Sequence, residues 1–105
     1  MPGLDMNYFI RQANKMTEKI EQRKAELAEE IIEGKSGDGL VLVQASGTQE
    51  IKSIKLSPEA MALNDTSMLE DLLVAAVNAA LNASRTHMQT ELGKLTGGLK
   101  IPGLL

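Results

Sequence analysis

Residues 6–28 read MNYFIRQANKMTEKIEQRKAELA, and the rest of the chain is organised around this stretch. Met6, Phe9, Ala13, Met16, Ile20 and Leu27 make an apolar seam, mostly at spacings of three and four, which Arg23 interrupts. Arg11, Lys15, Lys19 and Arg23 stand four residues apart. Residues at that spacing are neighbours on a helix, so the cations form one oblique stripe. At 1.5 Å per residue such a helix is about 34 Å long. Its seam calls for a partner helix, and its stripe for something anionic. Asp5 or Asn7 is placed to cap it, after a short lead-in over residues 1–5.

Downstream the texture changes. Glu29 to Ser36 carries the β-branched pair Ile31-Ile32 and runs into Ser36-Gly37-Asp38-Gly39, which reads as strand and hairpin loop. Leu40 to Ser46 is the strongest strand, Gly47-Thr48-Gln49 turns the chain, and Ile51 to Leu56 follows. Three short strands with two tight turns predict an antiparallel meander. Ser57-Pro58 then opens a short helix to about Leu63, with Ser57 as cap and Pro58 in the first helical position. Ser67 stands three before Glu70 in a capping-box pattern, and a second long helix is expected from there to about Gly93. Its alanines permit close approach to a neighbour. Residues 96–105 read as a loose, apolar tail rich in Gly and Pro.

The expected fold class is therefore α+β: long N-terminal helix, three-stranded antiparallel meander, short helix, long C-terminal helix. The helices are expected to cover the apolar face of the sheet. Antiparallel packing of the two long helices is expected to set residues 85–94 beside the N-terminal part of the first, bringing both basic ends of the sequence together.

With 105 residues, one domain over 1–105 is expected, with a core small enough that association of two copies helps it. Aromatic content is 2%, so the core must be aliphatic, and the composition argues against recognition of single strands by base stacking. Without cysteine there is no disulfide, thiol catalysis or thiolate metal site. No stretch is long and apolar enough for a membrane span and no secretory signal is visible, so a cytoplasmic location is expected, with no membrane partner. Net charge is −3, but residues 1–24 and 85–105 are each net positive and the middle is strongly acidic.

Several tempting motifs have plainer readings. His87 is the only histidine and makes a poor metal site alone, so it reads as a surface helix residue. Glu70-Asp71 suits a helix N-terminus better than acid–base catalysis. Ser36–Gly39 lacks the spacing of a phosphate loop. The methionines read as packing. No nucleophile–base pair is present, so the sequence reads as a non-enzyme without cofactor or small-molecule substrate.

Taken together, several segments resemble the YbaB/EbfC family of bacterial nucleoid-associated proteins. They are Gln12-Ala13-Asn14-Lys15-Met16, the hairpin Glu33 to Val41, Ile54-Lys55-Leu56-Ser57-Pro58, the helix Met68 to Ala80, and Thr96-Gly97-Gly98-Leu99 with Pro102-Gly103-Leu104. The resemblance implies a homodimer with protruding helical arms that binds double-stranded DNA without catalysis. By position it implies DNA contacts at Arg11, Lys15, Lys19, Arg23 and, on the other long helix, Arg85. Lysine and arginine there would neutralise phosphates and leave sequence specificity weak or dependent on DNA shape. Two other readings of the same residues are a protein–protein adaptor and a structural dimer with little DNA affinity, the latter suggested by the few cations of the second long helix.

Overall fold

Asp5 is extended, and its carboxylate accepts the amide of Asn7 at 3.0 Å. That caps a helix, α1, over Met6–Leu27. The computed structural model describes residues 5–97, so the tail expected over 96–105 lies outside them from residue 98 onward. After Ala28 the chain enters β1 (Ile31–Ser36), β2 (Val41–Ser46) and β3 (Ile51–Leu56), which pair antiparallel in the order β1-β2-β3. Both outer strands begin or end within two residues of the expected bounds. The β1–β2 connection takes three successive positive φ values, at Gly37, Asp38 and Gly39, which is why glycine flanks the aspartate.

The register sorts the side chains. Val43 lies opposite Gly34 and Ile54, and Val41 opposite Ser36 and Leu56, so all of these share one face. After β3, Ser57 caps the short helix α2 (Pro58–Ala62), and α3 runs over Thr66–Leu95. Its cap is Asp65, whose carboxylate accepts the amide of Met68 at 3.0 Å. The capping box expected at Ser67 is thus displaced by a stronger acceptor two residues earlier, and the helix continues past Gly93 to Leu95.

α3 lies on β1 and β2, burying Val41, Val43 and Ala45 against Ala76 and Ala80. The approach is closest at Gly34. A Cβ there would sit 2.7 Å from the carbonyl oxygen of Ala76 and closer still to the backbone nitrogen of Ala80. Two hydroxyls lock the phase of the helix. Ser36 donates to the Leu72 carbonyl at 2.6 Å, and buried Ser84 donates to the Ser46 carbonyl at 2.6 Å while receiving Gln49.

Contrary to the expectation that both long helices cover the sheet, α1 does not share in roofing it. It touches the sheet at one corner, where the Gly47 amide donates to the Leu27 carbonyl at 2.9 Å. Otherwise its lower half packs on the end of α3 in a second cluster of Ile20, Leu27 and Leu92, with Met16, Met88 and Leu95 around them. The helices are antiparallel, since Glu30 meets His87 and Arg23 meets Glu91. The partner of residues 87–95 is therefore the C-terminal half of α1, not the N-terminal part expected. The meander occupies the space beside α3 up to Ser84, so α1 can pack only beyond it. The upper half of α1 projects past the end of α3. The result is an extended particle, 74 × 20 × 16 Å, with a radius of gyration of 19.7 Å; a compact chain of this length has about 13 Å.

Two glycines separate contact from propensity. Gly34→Ala forces a methyl into the backbone of α3 and should destabilise the fold by about 1–3 kcal/mol or more. Gly93→Ala meets nothing within 4 Å in a helix interior and should stabilise it by about 0.8–1 kcal/mol. Urea unfolding of the two variants checks the opposite signs.

Candidate nucleic-acid interface

The geometry of a helix decides what becomes of the four stripe cations. At about 100° per residue, a four-residue step advances about 40° around the axis. The apolar seam holds a nearly constant direction, but the stripe rotates toward it. Arg11 stands on the far side from the seam and Arg23 close to its edge. The structure shows the consequence: Arg11, Lys15 and Lys19 are exposed, whereas the Arg23 side chain keeps only 24% of its accessibility.

Arg11, Lys15 and Lys19 make no ion pair among the described residues. Arg23 makes three. Its guanidinium meets Glu26 and Glu30 at 3.0 Å each and Glu91 of α3 at 2.6 Å. Glu91, whose side chain is 16% accessible, also takes the Lys94 ammonium at 2.5 Å, and Glu30 meets the His87 ring at 2.9 Å. The cluster ties the base of α1, the entry to β1 and the end of α3. Lys94 and then Arg23 push the Glu91 carboxyl down to about 2. The His87 hydrogen bond, followed by Arg23, lowers that of Glu30, and the Arg23 guanidinium is itself held more firmly protonated, chiefly by Glu91.

Arg85 is exposed on α3 and donates to Asn82 at 2.9 Å. It follows Ser84 at the β2–β3 corner, whereas Lys19 lines a shallow cleft with Leu95. Ten residues of α3 separate the two levels, about 15 Å. The structure thus gathers Arg11, Lys15 and Lys19 along one exposed edge, diverts Arg23 into a carboxylate cluster and sets Arg85 apart. Lys94, the other C-terminal cation among the described residues, is also taken up by Glu91. His87, expected at the surface, is half-buried against Glu30. The cluster was foreshadowed in the sequence only by the one cation breaking the seam.

Among the described residues no group of side chains could hold a metal ion, and no helix is long and apolar enough to cross a membrane. What the exposed edge offers is a row of mobile-headed cations on a rigid rod, spaced about 6 Å apart along the axis.

Comparison with known proteins gives this geometry a context. The model of the YbaB/EbfC DNA-binding family matches residues 1–99. A nucleoid-associated protein of Myxococcus xanthus is 68% identical over 104 residues, covering 99% of both chains. Nucleoid-associated proteins of Desulforamulus reducens and Anaeromyxobacter dehalogenans are 47% and 44% identical, over 99% and 96% of this chain and 99% and 98% of theirs. The fold alone is shared with an uncharacterized protein from Helicobacter pylori in its crystal structure, with a TM-score of 0.79 at 20% identity over 90% of this chain and 99% of that one.

The carboxylate cluster makes the arm's base sensitive to acid. Glu91 is depressed in the folded chain relative to the ordinary carboxylate value of 4.5. Its contribution is therefore complete above that value and lost as pH falls through about 2. Thermal unfolding between those limits should show stability rising with pH, and Glu91→Gln should flatten the rise. An identical profile in the variant would remove the cluster from the stability of the arm.

Proposed function

The chain belongs to the YbaB/EbfC DNA-binding family, and from that membership we propose that it binds double-stranded DNA through the exposed edge of α1, as a non-catalytic nucleoid-associated protein. The observation that carries the reading is the set of unpaired cations Arg11, Lys15 and Lys19 on a projecting helix. Cations already paired to carboxylates offer DNA little net charge; these three are free to displace the counterions condensed on phosphates. Arg23 serves the same site by holding the arm at its base. Arg85 adds a contact from the body of the molecule. Contacts of this kind position a duplex without reading its bases, so specificity is weak or arises from DNA shape.

The working unit in this reading is a homodimer. Ile54 and Leu56 share the sheet face that α3 roofs, yet both stay exposed, because α3 lies over β1 and β2 and stops short of β3. Met61 in α2, Leu63 just after it and Met68 in the first turn of α3 are exposed as well. An aliphatic surface of this extent on so small a core is suited to a second copy related by a two-fold axis. Pairing there leaves both arms projecting.

Two measurements test this reading. Three free cations on each of two arms neutralise about six phosphates, so log K should fall with log salt at a slope of about −5. Lys15→Glu with Lys19→Glu should weaken binding to all duplex sequences alike and flatten that slope. A slope near zero, or binding unaffected by charge reversal, would falsify the electrostatic site. Separately, Ile54→Glu should shift the sedimentation of the protein from dimer to monomer while its far-UV spectrum is retained; a dimer that persists moves the interface elsewhere.

A further inference from the structure

The seam of α1 is longer than the helix that covers it. Ile20 and Leu27 are buried and Met16 is partly so, because α3 reaches them. Beyond Met16 the same seam continues through Ala13, Phe9 and Met6, and no described residue of another element packs on it. Met6 is 70% exposed and Phe9 48%, its ring braced edge-on by Tyr8 at 5.7 Å. A ten-residue helical extension with no tertiary support is below the length at which helices hold in water, about 12–15 residues. Its apolar stripe therefore needs a cover.

The chain holds a matching piece. α3 ends at Leu95 on the same seam, antiparallel to α1, so its axis points along the bare stripe toward Met6. Thr96 closes the helix and Gly97 takes a positive φ of 65°, releasing the chain from helical geometry at that point. Residues 98–105 follow, reading GLKIPGLL. We propose that the uncovered seam at Met6, Phe9 and Ala13 is the docking site for this segment of the same chain, with Leu99 and Ile101 set against it.

Length, composition and charge all fit. From Met16 to Met6 the seam runs about 15 Å, and eight residues in extended form reach about 26–29 Å. Four of the eight are Leu or Ile, and Pro102 has no amide to leave unbonded. The segment's one charged side chain, Lys100, alternates with Leu99 and Ile101, so an extended segment turns it away from the seam. A second copy's arm is a poorer occupant, because it would bring another set of unpaired cations alongside Arg11 and Lys15. The docked segment continues the α3 cluster to the tip of α1, making the arm a two-stranded element rather than a bare helix.

The absence of cysteine allows one label to be placed cleanly. A nitroxide on Asn14→Cys, off the seam, should broaden the amide resonances of Leu99 and Ile101 in the full-length protein, and Phe9→Ser should restore them. In parallel, Leu99→Ser with Ile101→Ser should speed hydrogen exchange of amides in the arm above Met16 by about tenfold or more, leaving Ile20–Leu27 unchanged. Sharp segment resonances beside the label, or arm exchange indifferent to the substitutions, would overturn the proposal. So would broadening seen only when label and isotope are on different molecules, which assigns the seam to a second copy. Neither readout involves DNA, so the outcome is independent of the binding measurements.

Discussion

Backbone meets backbone where Gly34 of β1 passes under Ala76 and Ala80 of α3, and the remaining structure depends on that contact. With no Cβ on one side and single methyls on the other, the helix settles onto the strand closely enough to bury Val41, Val43 and Ala45. Larger residues at those positions would lift α3 away and open the aliphatic core, in which no aromatic ring is available to fill space. Close contact also fixes where α3 lies, over β1 and β2, and so leaves Ile54 and Leu56 of β3 bare. Ser36 and Ser84 then prevent the helix from rotating or sliding. In a core this small, such polar latches carry specificity that bulk hydrophobic burial does not.

The same helix that roofs the sheet continues into the arm. Its last turns carry Met88, Leu92 and Leu95 to α1, and Glu91 to Arg23. Packing and electrostatics are complementary there. The apolar residues supply the burial, and the carboxylates around Arg23 fix the direction in which α1 leaves the body. The division of labour among the cations follows from helical geometry: a row repeating every four residues drifts toward a seam that repeats at an average nearer 3.5. One end of the row is drawn into the fold and the other is left to solvent.

Much of this was legible in the sequence. The order of elements, the three strands and both tight turns follow from β-branched runs bounded by glycine, and Ser57-Pro58 marks its helix through local chemistry alone. What could not be read was non-local. Asp65 outcompetes Ser67 as a cap because a carboxylate is the better acceptor at a position where either could start the helix. The observed alignment of α1 with α3 differs from the expected one by about half a helix, since the seam has the same spacing along its whole length and does not state which half is covered. Only the meander's bulk beside α3 selects the lower half. Among the candidate site residues, Arg23 differs from Arg11, Lys15 and Lys19 in breaking the seam, but its carboxylate partners on other elements, at positions 30 and 91, could not be read from α1 alone. Nothing within the strand marks Gly34 as a point of close approach; its role depends on the helix above it.

α3 is unbroken from the sheet to the arm, and this makes residue count along it a phase setting. Adding or removing a single residue between Ala80 and Leu92 would turn everything beyond by about 100° and shift it by about 1.5 Å. Leu92 would leave its cluster, Glu91 would lose Arg23, and the arm would be aimed elsewhere even if the sheet were untouched. Insertions at the tip of the β1–β2 loop carry a smaller penalty, because a side chain at Gly39 would meet nothing within 4 Å. Within a family built on this plan, length variation should therefore be tolerated at the hairpin and at the two chain ends, and be purged from the middle of the long helix.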